Sequence, residues 1–428
     1  MNGPHVLPAL NDRLLDLPPS ATVAINDRSN DLIKAGKEVI KFGLGQSPFP
    51  VPDSVVKALQ TAAAEKDYLP VQGLPSLQDA VADHHRRFFG ISCDPEDVLI
   101  GPGSKELMFL LQLAYNGELV LPSPSWVSYE PQAKILGRAI SRIPTTAESR
   151  WLLTPQALDD FCRRGEDRPR LLILNYPSNP SGTTYSREEL AAIADVAREH
   201  RMLILSDEIY GKVHHTGEHH SLVPLLPEQT IFSSGLSKWC GAGGWRVGVF
   251  VFPPKLGWLR KAMAAVATET FTSTCAPVQF AAVTAFNRNP ELVDYLERSR
   301  VILKGLGEFV YQRLCDTGAA VVAPEGGFYV FPDFEPLREK LAERGIYTSA
   351  QLCRRLLEDT GVAFLPGSEF GRDREELTVR IAYVDFDGAR ALEAIDSGAT
   401  AINLEFIETY CPKIVSGMDK IAAWFDSL

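Results

Sequence analysis

Short apolar runs alternate with helical patterns through the middle of the chain, which predicts an α/β fold with a mainly parallel central sheet flanked by helices in a large domain. Two further observations support it. A polar cluster follows each apolar run, at the carboxyl end of the strand, where open α/β sheets gather their ligands. Beyond about Lys304 the pattern becomes a mixture of helices and β-rich runs, which predicts a smaller α+β domain.

The first run, Asp97 to Ile100, leads through Gly101-Pro102-Gly103-Ser104 into a helix from Lys105. Free N–H groups at such a helix start favour a bound phosphate. Leu171 to Leu174 is followed by Asn175-Tyr176-Pro177-Ser178-Asn179-Pro180-Ser181-Gly182 and then a helix from Arg187. Ser186 as N-cap and Glu189 three residues on form a capping box, ahead of Leu190, Ile193, Ala194 and Ala197 on one face. Met202 to Leu205 precedes Ser206-Asp207-Glu208-Ile209-Tyr210, and Thr230 to Phe232 precedes a polar loop that ends near Val247, where a run to Phe252 begins. A long helix near Glu291 to Arg313 joins the two domains. After it come the β-rich runs Ala319 to Val322 and Phe328 to Phe331, a helix from Ser349 to Asp359, the run Thr378 to Tyr383 and a helical tail from Ala389 to Leu428. The first 45 or so residues are expected to pack with the smaller domain. The expected division is therefore 1–48 for an N-terminal arm and part of the small domain, 49–303 for the large domain and 304–428 for the C-terminal small domain.

With 428 residues the chain can bury a large core, and its net charge of -11 and pI near 5.3 leave no basic stripe for nucleic acid. A small-molecule substrate is expected. Seven cysteines without CxxC spacing fit reduced thiols and a cytoplasmic location. Met1 to Pro19 lacks a secretory pattern, and no apolar run reaches the roughly 18 to 20 residues of a membrane span.

The stretch Ser233-Ser234-Gly235-Leu236-Ser237-Lys238, with Arg246 eight residues after the lysine, presents one amine and one guanidinium between two strands. A lysine so placed can form a Schiff base with an aldehyde, and an arginine offers a planar fork to a phosphate. Pyridoxal phosphate is the cofactor that needs both.

With these motifs in this order, the chain resembles the class I/II aminotransferases, pyridoxal-phosphate enzymes of fold type I, from about Pro19 to Tyr383. The run Pro19-Ser20-Ala21-Thr22-Val23-Ala24-Ile25-Asn26 and Tyr68 with Gly73 and Leu77 look most like the bacterial aspartate and prephenate aminotransferase branch. The resemblance implies that Lys238 is the imine-forming lysine and then the general acid/base, and that Asp207 keeps the pyridine nitrogen protonated. It implies that Tyr210 and Asn179 share the cofactor's phenolic oxygen, and that Arg246, the Gly103-Ser104-Lys105 backbone and Tyr68 hold the phosphate. Tyr68 would come from the neighbouring subunit, so a homodimer is implied. Trp126, in Pro124-Ser125-Trp126-Val127-Ser128-Tyr129, would stack on the ring, and Arg380 would clamp the substrate α-carboxylate beside Asn179 and Gly45.

The chain departs from the family pattern at two places. Gly235 stands where many relatives have a phosphate-binding serine, and Gln46-Ser47-Pro48 replaces the common Glu-Pro-Asp after Gly45. No arginine lies between Ala265 and Pro277, so Lys105 is the candidate partner for a distal carboxylate. The reading is an amino-acid:2-oxoacid aminotransferase favouring aspartate or glutamate, with aromatic or other neutral donors as competitors. A β- or γ-elimination enzyme on the same fold, such as a carbon-sulfur lyase or an aminocyclopropane-carboxylate synthase, is the alternative, as is a non-catalytic regulator. The run His214-His215-Thr216-Gly217-Glu218-His219-His220 offers metal-ligand types but reads as a solvated turn, so no metal is expected.

Overall fold

The computed structural model describes residues 10–15 and 17–428; the reading of Met1 to Pro19 falls partly on residues outside that range. Among the described residues there are twelve strands: β1 Ile40–Lys41, β2 Val98–Gly101, β3 Glu118–Ser123, β4 Ile140–Pro144, β5 Arg170–Asn175, β6 Leu203–Asp207, β7 Thr230–Gly235, β8 Gly248–Val251, β9 Tyr329–Val330, β10 Val362–Ala363, β11 Leu365–Pro366 and β12 Val379–Ala382. Seven of them form the central sheet in the order β2-β8-β7-β6-β5-β3-β4. Every neighbouring pair is parallel except those of β8, which runs antiparallel to both β2 and β7.

Parallel strands covered by helices on both faces read as continuous apolar runs, because neither face meets water. In β5, Leu171 and Ile173 pack with Leu99, Leu107, Phe250 and Met263 on one face, while Leu172 and Leu174 pack with Val120, Leu158, Leu190 and Ile193 on the other. Helix Arg187–Glu199 begins at the capping box that its spacing predicts: the Ser186 hydroxyl accepts from Glu189 N, and Ser186 N donates to the Glu189 carboxylate at 2.8 Å.

A three-stranded antiparallel sheet, β11-β12-β9, lies in the later part of the chain, and β1 pairs in parallel with β10. Helix Pro290–Asp316 connects the two regions and is 27 residues long. The tail forms helices Gly388–Ala394, Leu404–Tyr410 and Pro412–Asp426.

Three features differ from the sequence reading. β6 and β7 run further than their apolar cores, so Asp207 and Ser233 belong to strands and not to the loops after them. The run Ala319 to Val322 forms no strand; it makes only the bridge from Ala320 to Asp333, since an apolar run becomes a strand only where a neighbour lies alongside it. β3 and β4 carry weak patterns, with Pro122 inside β3 and a half-exposed, polar-interrupted β4 at the sheet edge.

Candidate active site

A cavity of about 480 Å³ opens at the carboxyl ends of β5, β6 and β7 and is closed on its other side by residues of the later region. Its lining includes Lys238, Asp207, Tyr210, Asn179, Arg246, Ser104, Lys105, Trp126, Gly45 and Arg380, so these candidates converge from segments far apart in sequence. Gly103 lies directly beneath Arg246. Tyr68 does not line the cavity and is 89 % exposed.

β6 ends on Asp207, which is 2 % exposed. Tyr129 donates to its Oδ2 at 2.6 Å and Ser233 to its Oδ1 at 3.2 Å. Burial pushes the carboxyl up to about 6, against the opposing pull of those two hydroxyls. It is a buried acid with neutral donors and no ion-pair partner among the described residues, which suits a cationic N–H from a ligand.

Lys238 follows β7 and reaches into the cavity, where its Nζ donates to Gly45 O at 2.7 Å. Burial, with Arg380 and Arg246 nearby, lowers its amine to about 8, so a usable fraction is neutral near physiological pH. Arg380, in β12, is 1 % exposed and donates through Nη1 to Asn179 Oδ1 at 3.2 Å and through Nη2 to Gly43 O. Its Nε has no partner and no carboxylate pairs with it among the described residues. A guanidinium buried without an anion can offer its fork to a carboxylate brought by a ligand.

The phosphate end is built by backbone geometry. Helix Ser104–Ala114 starts without a side-chain cap, and Gly103 before it has φ +91°. A β-carbon on Gly103 would stand 2.0 Å from Arg246 Nη2. Arg246, itself left-handed at φ 58°, is held by Gly243 O at 2.9 Å and Pro102 O at 3.4 Å. Gly235 has no room for a side chain, because a β-carbon would lie 2.5 Å from Val247 O. Ser237 does line the cavity. Lys105 Nζ lies 5.3 Å from the centre of the Trp126 ring, with its amine lowered by burial and by Arg246.

Among the described residues, Lys105, Lys238, Arg246 and Arg380 line the cavity against one carboxylate, Asp207. That imbalance fits pyridoxal phosphate: an anionic phosphate for Arg246 and the uncapped helix, a ring nitrogen for Asp207, and an aldehyde for Lys238.

Sequence reasoning missed Tyr129 and Ser233 beneath Asp207, and Tyr329, whose hydroxyl lies 2.8 Å from that of Tyr210. It also missed Asn175, which accepts from Asn179 N at 2.8 Å and donates to Asp207 O at 2.9 Å. Asn175 and Ser233 stand inside the motifs themselves, so the signal was available for them. The histidine run is solvated only in part. His219 Nε2 lies 2.7 Å from Glu208 Oε2, and buried His215 faces Gly327 O and the Tyr383 hydroxyl, so the imidazoles do not converge on one point.

The model of the family aminotransferase class I and II matches residues 37–395. The chain is 32 % identical to an aspartate aminotransferase of Geobacillus stearothermophilus, over 92 % of this chain and 98 % of that one. It is 30 % identical to an asparagine–oxo-acid transaminase of Streptococcus mutans, over 87 % of this chain and 94 % of the other. Among solved structures, the aspartate aminotransferase of Thermus thermophilus with maleate superposes with a TM-score of 0.83 at 28 % identity, covering 97 % of this chain and all of the other. These likenesses favour amino-group transfer over elimination. The chain belongs to the class I and II aminotransferases, pyridoxal-phosphate-dependent enzymes of fold type I that move an amino group from an amino acid to a 2-oxoacid.

Proposed function

We propose that this aminotransferase takes aspartate or glutamate as amino donor and a 2-oxoacid as acceptor. The carrying observation is the set of cations in the cavity. Arg246 serves a phosphate, Arg380 an α-carboxylate and Lys238 the proton transfer, which leaves Lys105, beside Trp126, for a second carboxylate. The names of the relatives from Geobacillus and Thermus agree with an acidic donor.

Bound pyridoxal phosphate supplies an electron-withdrawing ring that stabilises negative charge at the substrate α-carbon and carries the amino group between the two half-reactions. The residues do the rest. Arg380 binds the α-carboxylate and fixes which α-bond faces Lys238. The Lys238 amine, lowered to about 8, takes the α-proton and returns it. Asp207, steadied by Tyr129 and Ser233, holds the proton on the ring nitrogen. Asn179 turns its Oδ1 to Arg380, so its amide hydrogens are left, with the Tyr210 hydroxyl, for the ring's phenolic oxygen. Trp126 would offer its face to the ring, and Ser104, Arg246 and Ser237 would hold the phosphate.

Tyr68, exposed on this chain, completes the phosphate site of a second copy, so the working unit is a homodimer. No helix among the described residues is long and apolar enough to cross a membrane, and the reduced cysteines support a cytoplasmic setting. The division 1–48, 49–303 and 304–428 is the domain plan that goes with this site, the cavity lying between the second part and the other two.

The test is the visible spectrum of the protein loaded with pyridoxal phosphate. A band that bleaches to the pyridoxamine form on adding L-aspartate and returns with 2-oxoglutarate supports the proposal. A band indifferent to aspartate and glutamate that responds to phenylalanine or alanine overturns the acidic preference.

A further inference from the structure

One phenol, Tyr329, touches three parts of the site at once. β9 pairs antiparallel with β12, Tyr329 opposite Ala382 and Val330 opposite Ile381, which brings the Tyr329 ring to 4.9 Å from Arg380 Cζ. Its hydroxyl lies 2.8 Å from the hydroxyl of Tyr210. The backbone at Gly45 closes on the same oxygen from another side: a β-carbon there would stand 2.0 Å from it, and the Gly45 carbonyl accepts the Lys238 amine at 2.7 Å.

Two phenols at 2.8 Å share one hydrogen and leave the other free for a further acceptor. Both stay protonated, since burial raises both above the ordinary phenol range. Tyr329 has no second hydrogen-bond partner among the described residues, and the Gly45 backbone crowds its oxygen. Tyr210 bears the outward-facing hydrogen only if Tyr329 is the donor between them.

We propose that Tyr329 is a positioning residue whose hydroxyl donates to Tyr210 and aims the Tyr210 proton at an anionic ring oxygen in the cavity, while its ring orients Arg380. This rests on the reading of Tyr210 given above and extends it to a residue that acts through Tyr210. It also explains why position 45 is a glycine: any side chain there would displace the hydroxyl that orients Tyr210.

The test is a double-mutant cycle on Tyr329→Phe and Tyr210→Phe, read as the pKa of the visible band of the loaded protein in a pH titration without substrate. A donor to the ring oxygen stabilises its anionic form, so weakening that donor raises the pKa. Tyr329→Phe is expected to raise it by roughly half a unit to one unit, and to add nothing once Tyr210 is phenylalanine. Equal shifts in both backgrounds, or no shift from Tyr329→Phe where Tyr210→Phe does shift the band, overturn the role of Tyr329 alone. No shift from Tyr210→Phe overturns the reading of Tyr210 and this proposal with it. Kinetics separate the two halves of the role: Tyr329→Phe keeps the ring and holds KM for the donor within about two-fold, whereas Tyr329→Leu raises KM several-fold. Gly45→Ala, which pushes the hydroxyl from the other side, gives the same band shift, and a folded Gly45→Ala protein with an unmoved band overturns the proposal.

Discussion

The Tyr129 hydroxyl donates to Asp207 Oδ2 across 2.6 Å, and both groups are fully enclosed. That bond pulls the Asp207 pKa down, while burial pushes it up to about 6. The carboxyl therefore stays ionised at neutral pH by a margin of about one unit, and Tyr129 supplies part of that margin.

Tyr129→Phe should remove the margin. Asp207 then titrates at or above neutral pH, and its carboxyl is protonated where it needs to accept a proton donor. The expected result is weaker binding of pyridoxal phosphate by the apoprotein near pH 7 that recovers as pH rises, with the acidic limb of the affinity profile displaced upward by about one unit. A uniform loss across pH, with the limb unmoved, would contradict the link between the two residues.

Lys105→Ala separates acidic donors from neutral ones. Without the amine beside Trp126, a distal carboxylate loses its cation, while an alanine or phenylalanine side chain loses nothing. KM for aspartate should rise by about ten-fold or more, with kcat/KM for alanine or phenylalanine changed by less than about two-fold. Equal losses for both classes would place Lys105 at the phosphate instead.

Gly103→Ala tests the phosphate end. A side chain at φ +91° is strained, and its β-carbon would occupy the space of Arg246 Nη2. The guanidinium is the flexible partner and gives way. The variant should lose roughly 1 to 2 kcal/mol of stability and bind pyridoxal phosphate about ten-fold more weakly, measured by titrating the cofactor into the apoprotein. Stability lost with undiminished cofactor affinity would mean that the Arg246 position does not depend on Gly103.

Some site residues were legible because their chemistry is local, whereas Arg380, Asn179, Gly45 and Trp126, far apart in sequence, were read only through the family resemblance. Lys238 and Arg246 lie on one stretch, and Asp207 and Tyr210 share one run, so spacing alone brings each pair together. Tyr329 was illegible because it sits in the apolar run Phe328 to Phe331, where an aromatic reads as core; only the register of β9 against β12 sets it beside Arg380. Tyr129 lies in the same run as Trp126, yet its role depends on helix Tyr129–Leu136 bringing it beneath β6. β1, β10 and β11 are two residues each, too short for any period to register.

Lys212 offers a prediction away from the chemistry. Its Nζ lies 3.7 Å from the centre of the Trp239 ring, with Phe88 and Phe286 also within reach, and Trp239 directly follows Lys238. The charged neighbours are Arg300 and Arg87, and the Cys240 thiol nearby is pushed up to about 12 and stays neutral. The aromatic faces favour the ammonium, whereas burial and the two guanidinium groups favour the free amine; the balance lowers Lys212 to about 7. In the unfolded chain its pKa returns to about 10.4. Between these values the unfolded state binds more protons than the folded one, so the penalty of burying the charge is greatest below pH 7 and is relieved as pH rises. Relative to Lys212→Met, the wild-type protein should therefore gain stability from pH 7 toward pH 9.5, by up to about 1.4 kcal/mol per unit, in denaturant unfolding at matched salt. A difference that stays flat across that range would show that the Trp239 face keeps the ammonium charged throughout, and that the stacking outweighs burial.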